Sequence, residues 1–322
     1  MIPIRDATPS KNTPVVNTTI IAINVLVFLL QLSQGQMGDR FIFTYGLVPA
    51  RYTVESLARH FTLGQQAFSW LSFMFLHGGF LHIIGNMWFL YIFGDNVEDR
   101  LGPVRYLLFY LACGVASGIS HVALNADSMA PTIGASGAIA GVMGAYILLY
   151  PTSKILTLIP IIFIPWFVEI PAYFFLGVWF LLQFINAAAG ASGAGGIAWW
   201  AHIGGFLFGM LFLKLFDRLP STGLTAILRP MTAKKRSHRL QVARPAVPPV
   251  DADIHASIHI SPYEALAGAR KLVNLSIGLQ RRIYRVIIPA GITAGQVLRL
   301  TGQGLSKADG SRGDVLLTVE IQ

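Results

Sequence analysis

Residues 75–99 read FLHGGFLHIIGNMWFLYIFGDNVED, and no acidic or basic side chain except His77 and His82 occurs between residues 67 and 93. An apolar run of that length reads as a membrane span. The Gly78–Gly79 pair sets its helical start near Gly79 and its end by Asp95. Working outward, apolar runs recur at about 15–33, 104–124, 134–150, 171–187 and 197–216. The chain is therefore expected to cross a bilayer six times. Gln34 to Gln66 is a long polar loop after the first span. Residues 151–171 are apolar but interrupted by Pro160, Pro165 and Pro171, which suits an interfacial connection better than a spanning helix.

Hydrophobic residues make up 54% of the chain and charged ones 12%, against about 25% charged in a soluble domain. Lipid is therefore part of the solvent. Lys214, Arg218, Arg229, Lys234, Lys235, Arg236, Arg239 and Arg244 stand against a single acid, Asp217, in one segment. Positive loops mark the cytoplasmic side, so this segment is expected there, and with six spans so is the N-terminal one. Such loops account for the net charge of +9. No nucleic-acid motif occurs, and no nucleic-acid partner is expected. The single Cys113 excludes an intrachain disulfide framework and a Cys-based zinc cluster. Met1–Pro14 is polar and Pro-rich, without a cleavable-signal pattern.

Residues 221–250 are rich in proline and basic side chains and read as a linker. Beyond Asp251 the stretches DADIHASIHI, RRIYRVIIPA, QVLRL and DVLLTVEI alternate apolar and polar positions between Gly-rich turns. That is the pattern of a small, mainly-β domain. The expected organisation is thus 1–220 in the membrane, 221–250 as linker and 251–322 as a β-domain.

With the N-terminal segment inside, spans two, four and six all run from the outer face toward the cytoplasm, so their first turns share one depth. His77, His82 and Asn86 lie around the start of span two, Ser136 at the start of span four and His202 near the start of span six. His82 and Asn86 are four apart and share a helix face. Polar groups at such a depth are costly unless they face one another or a water-filled cavity.

Ser136 lies in IGASGAIAGVMGAY (133–146). A serine among glycines and alanines also serves simply as a small packing residue. At a helix N-terminus, however, it has unpaired N–H groups and the positive end of the dipole beside it, the groups that stabilise an oxyanion. His202 lies in AWWAHIGGFLFGM (198–210), where it also reads as a histidine bonded to a neighbouring helix or grouped with Trp199 and Trp200 at the interface. Gly205 and Gly209 leave one side of its helix bare, as Gly137 and Gly141 do for span four, so the two backbones have room to bring imidazole to hydroxyl. A serine hydroxyl needs such a base in contact. No Asp or Glu occupies this layer, so a dyad is expected rather than a triad. His82 and Asn86 read either as a helix-to-helix hydrogen-bond pair or as oxyanion donors, each worth roughly 3–4 kcal/mol. His77 is assigned to fixing the loop before the Gly pair. His121 receives no role, and Glu169 is assigned to the interface. No H-E-x-x-H occurs and no carboxylate accompanies the histidines, so no metal site is expected.

These three segments, in this order and spacing, resemble the signature segments of rhomboid proteases. The shared patterns are G-x-S-G from Gly134 to Gly137, H-x4-H-x3-N through His77, His82 and Asn86, and A-H-x2-G-x3-G from Ala201 to Gly209. The likeness covers about residues 15–216. It implies a rhomboid-like, all-α polytopic membrane protein of six transmembrane helices with an outward-opening, water-filled cavity. It also implies cleavage of single-pass or other membrane-protein substrates in the lipid bilayer, without metal or cofactor. Matched by position, Ser136 is the nucleophile and His202 the general base. The Ser136 backbone N–H, His82 and Asn86 form the oxyanion hole, with His77, Gly134, Gly137, Gly205 and Gly209 in support. A multi-pass protein of the bacterial inner membrane, both termini cytoplasmic, is the expected setting. Two features depart from the pattern. The first loop has no Trp-Arg pair, and Ala140 stands where some relatives stack an aromatic ring on the histidine. What orients His202 is open at this level. A non-catalytic rhomboid-like binder or retention factor is the competing reading.

SPYEALAGARKLVNL, RVIIPAGITAGQVLRLTGQG and GDVLLTVEI, from residue 261 onward, resemble the C-terminal substrate-binding β-domain of DnaJ-type chaperones. No J-domain His-Pro-Asp tripeptide accompanies them. The resemblance implies a peptide or protein partner on the cytoplasmic side; a solvated tethering module is the alternative, since a fold alone does not give a function.

Overall fold

The computed structural model describes residues 1–161, 164–189, 198–218, 232, 240–243, 252–277, 280–307 and 310–321. It divides into two compact units, Met1–Lys234 and Lys235–Gln322. Most of the expected linker, 221–250, lies outside the described residues.

The first unit opens with strand β1 (Ile2–Asp6) and helix α1 (Val15–Ser33). The polar stretch after α1 is not a plain loop. It folds as α2 (Gly38–Tyr45), α3 (Ala50–Thr53), α4 (Glu55–Ala58) and α5 (Leu63–Ser72). Among these four helices only α5 has a side-chain cap, the reciprocal capping box made by Thr62 and Gln65 at its start. Then come α6 (Phe80–Leu101), α7 (Pro103–Leu124) and α8 (Ser136–Leu149), a hairpin of β2 (Lys154–Ile161) and β3 (Ile164–Pro171), α9 (Ala172–Ala188) and α10 (Trp199–Arg218). The corner between α6 and α7 turns on Gly102, whose φ of +80° suits glycine, and on Pro103 at the first helical position.

By length and composition α1, α7 and α10 are able to cross a membrane, and Leu63–Phe75 with α6, bent by 78°, makes a fourth candidate. The helices α8 and α9 are apolar but shorter. So three to four candidate spans stand among the described residues where the sequence shows six apolar runs. Besides being short, α8 is enclosed by protein. Every residue from Gly137 to Tyr146 is buried, and α8 packs against α6, α7, α9 and α10. A helix apolar on all sides belongs in such a core.

Glycines set the closest approach. A Cβ on Gly205 would overlap the Gly137 carbonyl, one on Gly209 the Gly141 backbone, and one on Gly144 the Phe206 backbone. The α8–α10 seam therefore exists because these positions have no side chain, as in other close helix pairs in lipid. On α1, Asn17, Asn24 and Gln31 recur every seven residues and are all buried. Asn17 donates to the Leu90 carbonyl (3.1 Å) and accepts from the Tyr106 hydroxyl (2.7 Å).

Residues 151–171, expected as an interfacial connection, pair as β2 and β3, and β1 adds to β2 to give the antiparallel order β1-β2-β3. Lys154 and Glu169 form an ion pair across the hairpin at 3.0 Å, which accounts for Glu169. The prolines fall at strand positions Pro160 and Pro165, opposite each other. Asp6 ends β1 and accepts from Asn96 Nδ2 (2.8 Å) and the Tyr146 hydroxyl (2.7 Å), fastening the strand to α6 and α8.

The second unit is β-rich. Strand β4 (Leu240–Ala243) runs parallel to β6 (Ala269–Ile277), which pairs antiparallel with β7 (Gln280–Ile288). Strand β5 (Ile254–Ile260) runs parallel to β9 (Val315–Ile321), which pairs antiparallel with β8 (Val297–Leu300). Alternation buries Ile254, Ala256, Ile258 and Ile260 from β5 against Val315, Leu317 and Val319 from β9. The short α11 (Pro262–Ala267) begins with a Ser261–Glu264 capping box. Lys271, only 2% exposed, ties it to the sheet through Glu264 (2.8 Å) and the His259 carbonyl (3.0 Å).

Candidate active site

Ser136 is the first residue of α8. The turn before it is held by Gly134 N–H donating to the Phe73 carbonyl at 2.8 Å and by paired Leu47 and Thr132 backbones. Gly134 has φ +128°, a value that L side chains rarely adopt. A Cβ there would also lie 2.9 Å from His82 Cε1 and Nε2 and 3.6 Å from Asn86 Nδ2. Glycine at 134 thus both makes the turn and lets the two α6 side chains come up to it.

His202, in the first turns of α10, places Nε2 2.8 Å from Ser136 Oγ. The glycine seam makes this possible, since Gly205 lies against Gly137 close by on the two helices. Its other ring nitrogen, Nδ1, is 2.8 Å from the side-chain oxygen of Gln183 on α9. Trp179 and Trp199 flank the imidazole, with ring centroids at 6.0 and 6.1 Å.

The α6 side chains present donors. His82 Nδ1 accepts from the Gly78 N–H at 3.2 Å. A neutral imidazole that accepts at one nitrogen carries its proton on the other, so Nε2–H is the end that faces Gly134. Asn86 Nδ2 is buried and makes no hydrogen bond to any described residue. A buried donor left unpaired is costly, and the place where this one is unpaired is beside the serine turn. His77 stands behind His82, ring centroids 5.1 Å apart in an edge-on contact.

The residues read from sequence as one layer, His82, Asn86, Ser136 and His202, are brought together by α6, α8 and α10. Gly134, Gly137, Gly205 and Gly209 act as spacing, and His77 as a prop for the His82 ring. His121 is buried on α7 beside Asn125 and outside this cluster. Sequence reasoning misses two residues. Gln183 bonds His202, and Gln31 clamps the His77 backbone by donating to its carbonyl (2.6 Å) and accepting from its N–H (3.1 Å). Their sequence signal is an amide inside an apolar run, a costly placement that calls for a partner.

The Rhomboid domain family matches residues 64–218, and the DnaJ C terminal domain family matches residues 243–322. The chain is 28% identical over 232 residues to RHOMBOID-like protein 6, mitochondrial, of Arabidopsis thaliana, covering 64% of this chain and 69% of that one. It is 28% identical over 201 residues to Rhomboid protein 1, mitochondrial, of Saccharomyces cerevisiae, covering 60% of this chain and 51% of the other. Against Presenilin-associated rhomboid-like protein, mitochondrial, of Homo sapiens the identity is 30% over 208 residues, covering 61% and 47%. The chain thus spans about half the length of the yeast and human relatives. All three names are mitochondrial, so they lend no support to the bacterial inner membrane expected from sequence. The chain carries a rhomboid domain at residues 64–218 followed by a DnaJ C-terminal domain at 243–322, and its relatives are rhomboid-like proteins.

Proposed function

We propose that this chain is an intramembrane serine endopeptidase that hydrolyses peptide bonds in or near transmembrane segments of membrane-protein substrates. On this reading α1, α6, α7, α8, α9 and α10 all cross the bilayer, residues 1–220 form the protease, and 221–250 link it to a partner-binding β-domain at 251–322 on the cytoplasmic side. The observation that carries the reading is the 2.8 Å contact between Ser136 Oγ and His202 Nε2 at a turn where unengaged donors converge.

Ser136 Oγ attacks the substrate carbonyl carbon while His202 Nε2 takes the hydroxyl proton. The carbonyl oxygen becomes an oxyanion, to which His82 Nε2–H, Asn86 Nδ2–H and the Ser136 backbone N–H donate. Collapse breaks the C–N bond, and His202 returns its proton to the departing amine. Water, deprotonated by His202, then attacks the acyl ester, frees the carboxylic acid and restores Ser136. Every protein group in the cycle belongs to the chain.

The test uses purified full-length protein, a labelled single-pass reporter and a mechanism-based serine inhibitor, with Ser136→Ala beside the wild type. Wild type is expected to cut the reporter and to carry the inhibitor on Ser136, and the variant to do neither. Equal cleavage by Ser136→Ala ends the proposal. Reporter that is held but uncut by wild type favours the non-catalytic binder instead.

A further inference from the structure

The hydrogen bonds around His202 have a direction. Gln183 is 7% exposed, and its side-chain Nε2 donates to the Trp179 carbonyl at 3.2 Å. A carbonyl oxygen offers no proton, so the amide must turn its nitrogen toward Trp179 and its oxygen toward His202. That oxygen lies 2.8 Å from His202 Nδ1. An amide oxygen only accepts, so Nδ1 carries the proton, and the ring's lone pair is left on Nε2. Nε2 in turn lies 2.8 Å from Ser136 Oγ. Flipping the amide would put an oxygen against the Trp179 carbonyl and an N–H against Nδ1, losing one bond and reversing the tautomer.

The same helix face supplies the packing. Trp179 is one turn before Gln183, and its ring lies against the imidazole at 35°. Ala140, one turn after Ser136 on α8, is buried and brings no ring to His202. The orientation of the histidine therefore comes from α9 rather than from α8.

We propose that Gln183 is the positioning residue of the Ser136–His202 pair, its side-chain oxygen holding His202 in the tautomer whose bare nitrogen faces the serine hydroxyl. This rests on the reading of the pair as nucleophile and base. Gln183 touches neither substrate nor reacting atom. It supplies what a buried carboxylate supplies in a triad, orientation and tautomer, but without the negative charge.

The experiment compares the full-length wild type with Gln183→Leu and Gln183→Glu by reporter cleavage across pH and by serine-inhibitor labelling. Leucine matches the packing but accepts no hydrogen bond, so kcat is expected to fall about 10²-fold or more with KM little changed, as when a triad histidine loses its tautomer. Glutamate keeps the acceptor and adds a charge that favours the imidazolium. Gln183→Glu is therefore expected to cleave, with the acid limb of kcat/KM moved to higher pH by roughly one unit. A residue that only packs would leave the acid limb in place. Gln183→Leu within about threefold of wild type, or an unmoved acid limb in Gln183→Glu, overturns the proposal while wild-type cleavage leaves the protease reading standing. If Gln183→Leu does not fold, the acid limb of Gln183→Glu decides. A wild type that neither cuts nor labels overturns the protease reading and this proposal together.

Discussion

The helical unit and the β unit of this chain sort their side chains in opposite senses. On α1, Leu26 is 65% exposed while Asn17 and Asn24 are buried. On β5, Ile254 and Ile258 are fully buried while His255 is exposed. Both units bury what their solvent rejects. In water that is hydrocarbon. Against lipid tails hydrocarbon gains nothing by turning inward, and backbone proximity and hydrogen bonds hold the helices together instead. Polar atoms are then available inside the helical unit, which is what the proposed reaction centre requires.

That contrast is breakable at several points. The largest effect is expected at the proposed catalytic site. If Asn86 serves as the proposed oxyanion donor, Asn86→Ala is expected to lower kcat about 10²–10³-fold. An unchanged kcat in purified protein with wild-type melting would return Asn86 to a packing role.

Next comes an apolar deletion in each unit. Ile258 shares the core of the β unit with Ile254, Val273 and Leu317. Ile258→Ala removes methyl groups that this core encloses and is expected to cost the β unit about 2–5 kcal/mol in denaturant titration. Leu26→Ala, on the exposed side of α1, is expected to change the stability of the helical unit by less than about 0.5 kcal/mol. Equal costs at the two positions would dissolve the distinction between the solvents.

The smallest effect is electrostatic, and again the units differ in sign. Burial pushes the Asp6 carboxyl in β1 up to about 7, with the Tyr146 hydroxyl pulling it down and Asp95 adding to the rise. Asp314 is held below its ordinary value, first by the Gly302 N–H at 2.7 Å and then by Arg299. For Asp6 the fold favours the neutral form, so its contribution is complete below the ordinary value of 3.8 and is lost as pH rises through about 7. For Asp314 the contribution is present above the ordinary value and is lost as pH falls through the lowered one. The melting midpoint of the helical unit is therefore expected to drop modestly between about pH 4 and pH 7, and Asp6→Asn to flatten that slope. A slope that survives Asp6→Asn places the titration elsewhere.

Much of the helical unit is legible in sequence because span formation is local. The run at 15–33 is α1, and the runs at 104–124, 171–187 and 197–216 each lie within two residues of α7, α9 and α10. The end of α6 departs from its reading for an instructive reason. Asp95, Glu98 and Asp99 look like the close of an apolar span, yet the helix runs on to Leu101. Its acids face protein rather than lipid. Glu98 accepts from the Val16 and Asn17 N–H groups at the start of α1, and Asp99 from those of Lys11 and Asn12. Residues 151–171 are harder to read, because prolines argue against helix but say nothing of a strand partner in β1, at the far end of the unit's sequence.

Residue spacing alone shows which segments are apolar, which glycines free a helix face, and that a serine, two histidines and an asparagine lie near the starts of three helices. Those properties follow from spacing along one chain, where the helical repeat converts sequence distance into direction. Long-range contacts were needed to show that Gln31 bonds the His77 backbone, that Gln183 bonds His202 where Ala140 brings no aromatic ring, and that β1 pairs with β2 of the β2–β3 hairpin. An amide in an apolar run announces that it needs a partner. Which partner it finds depends on how close two distant helices come, and the glycine seam between α8 and α10 sets that distance.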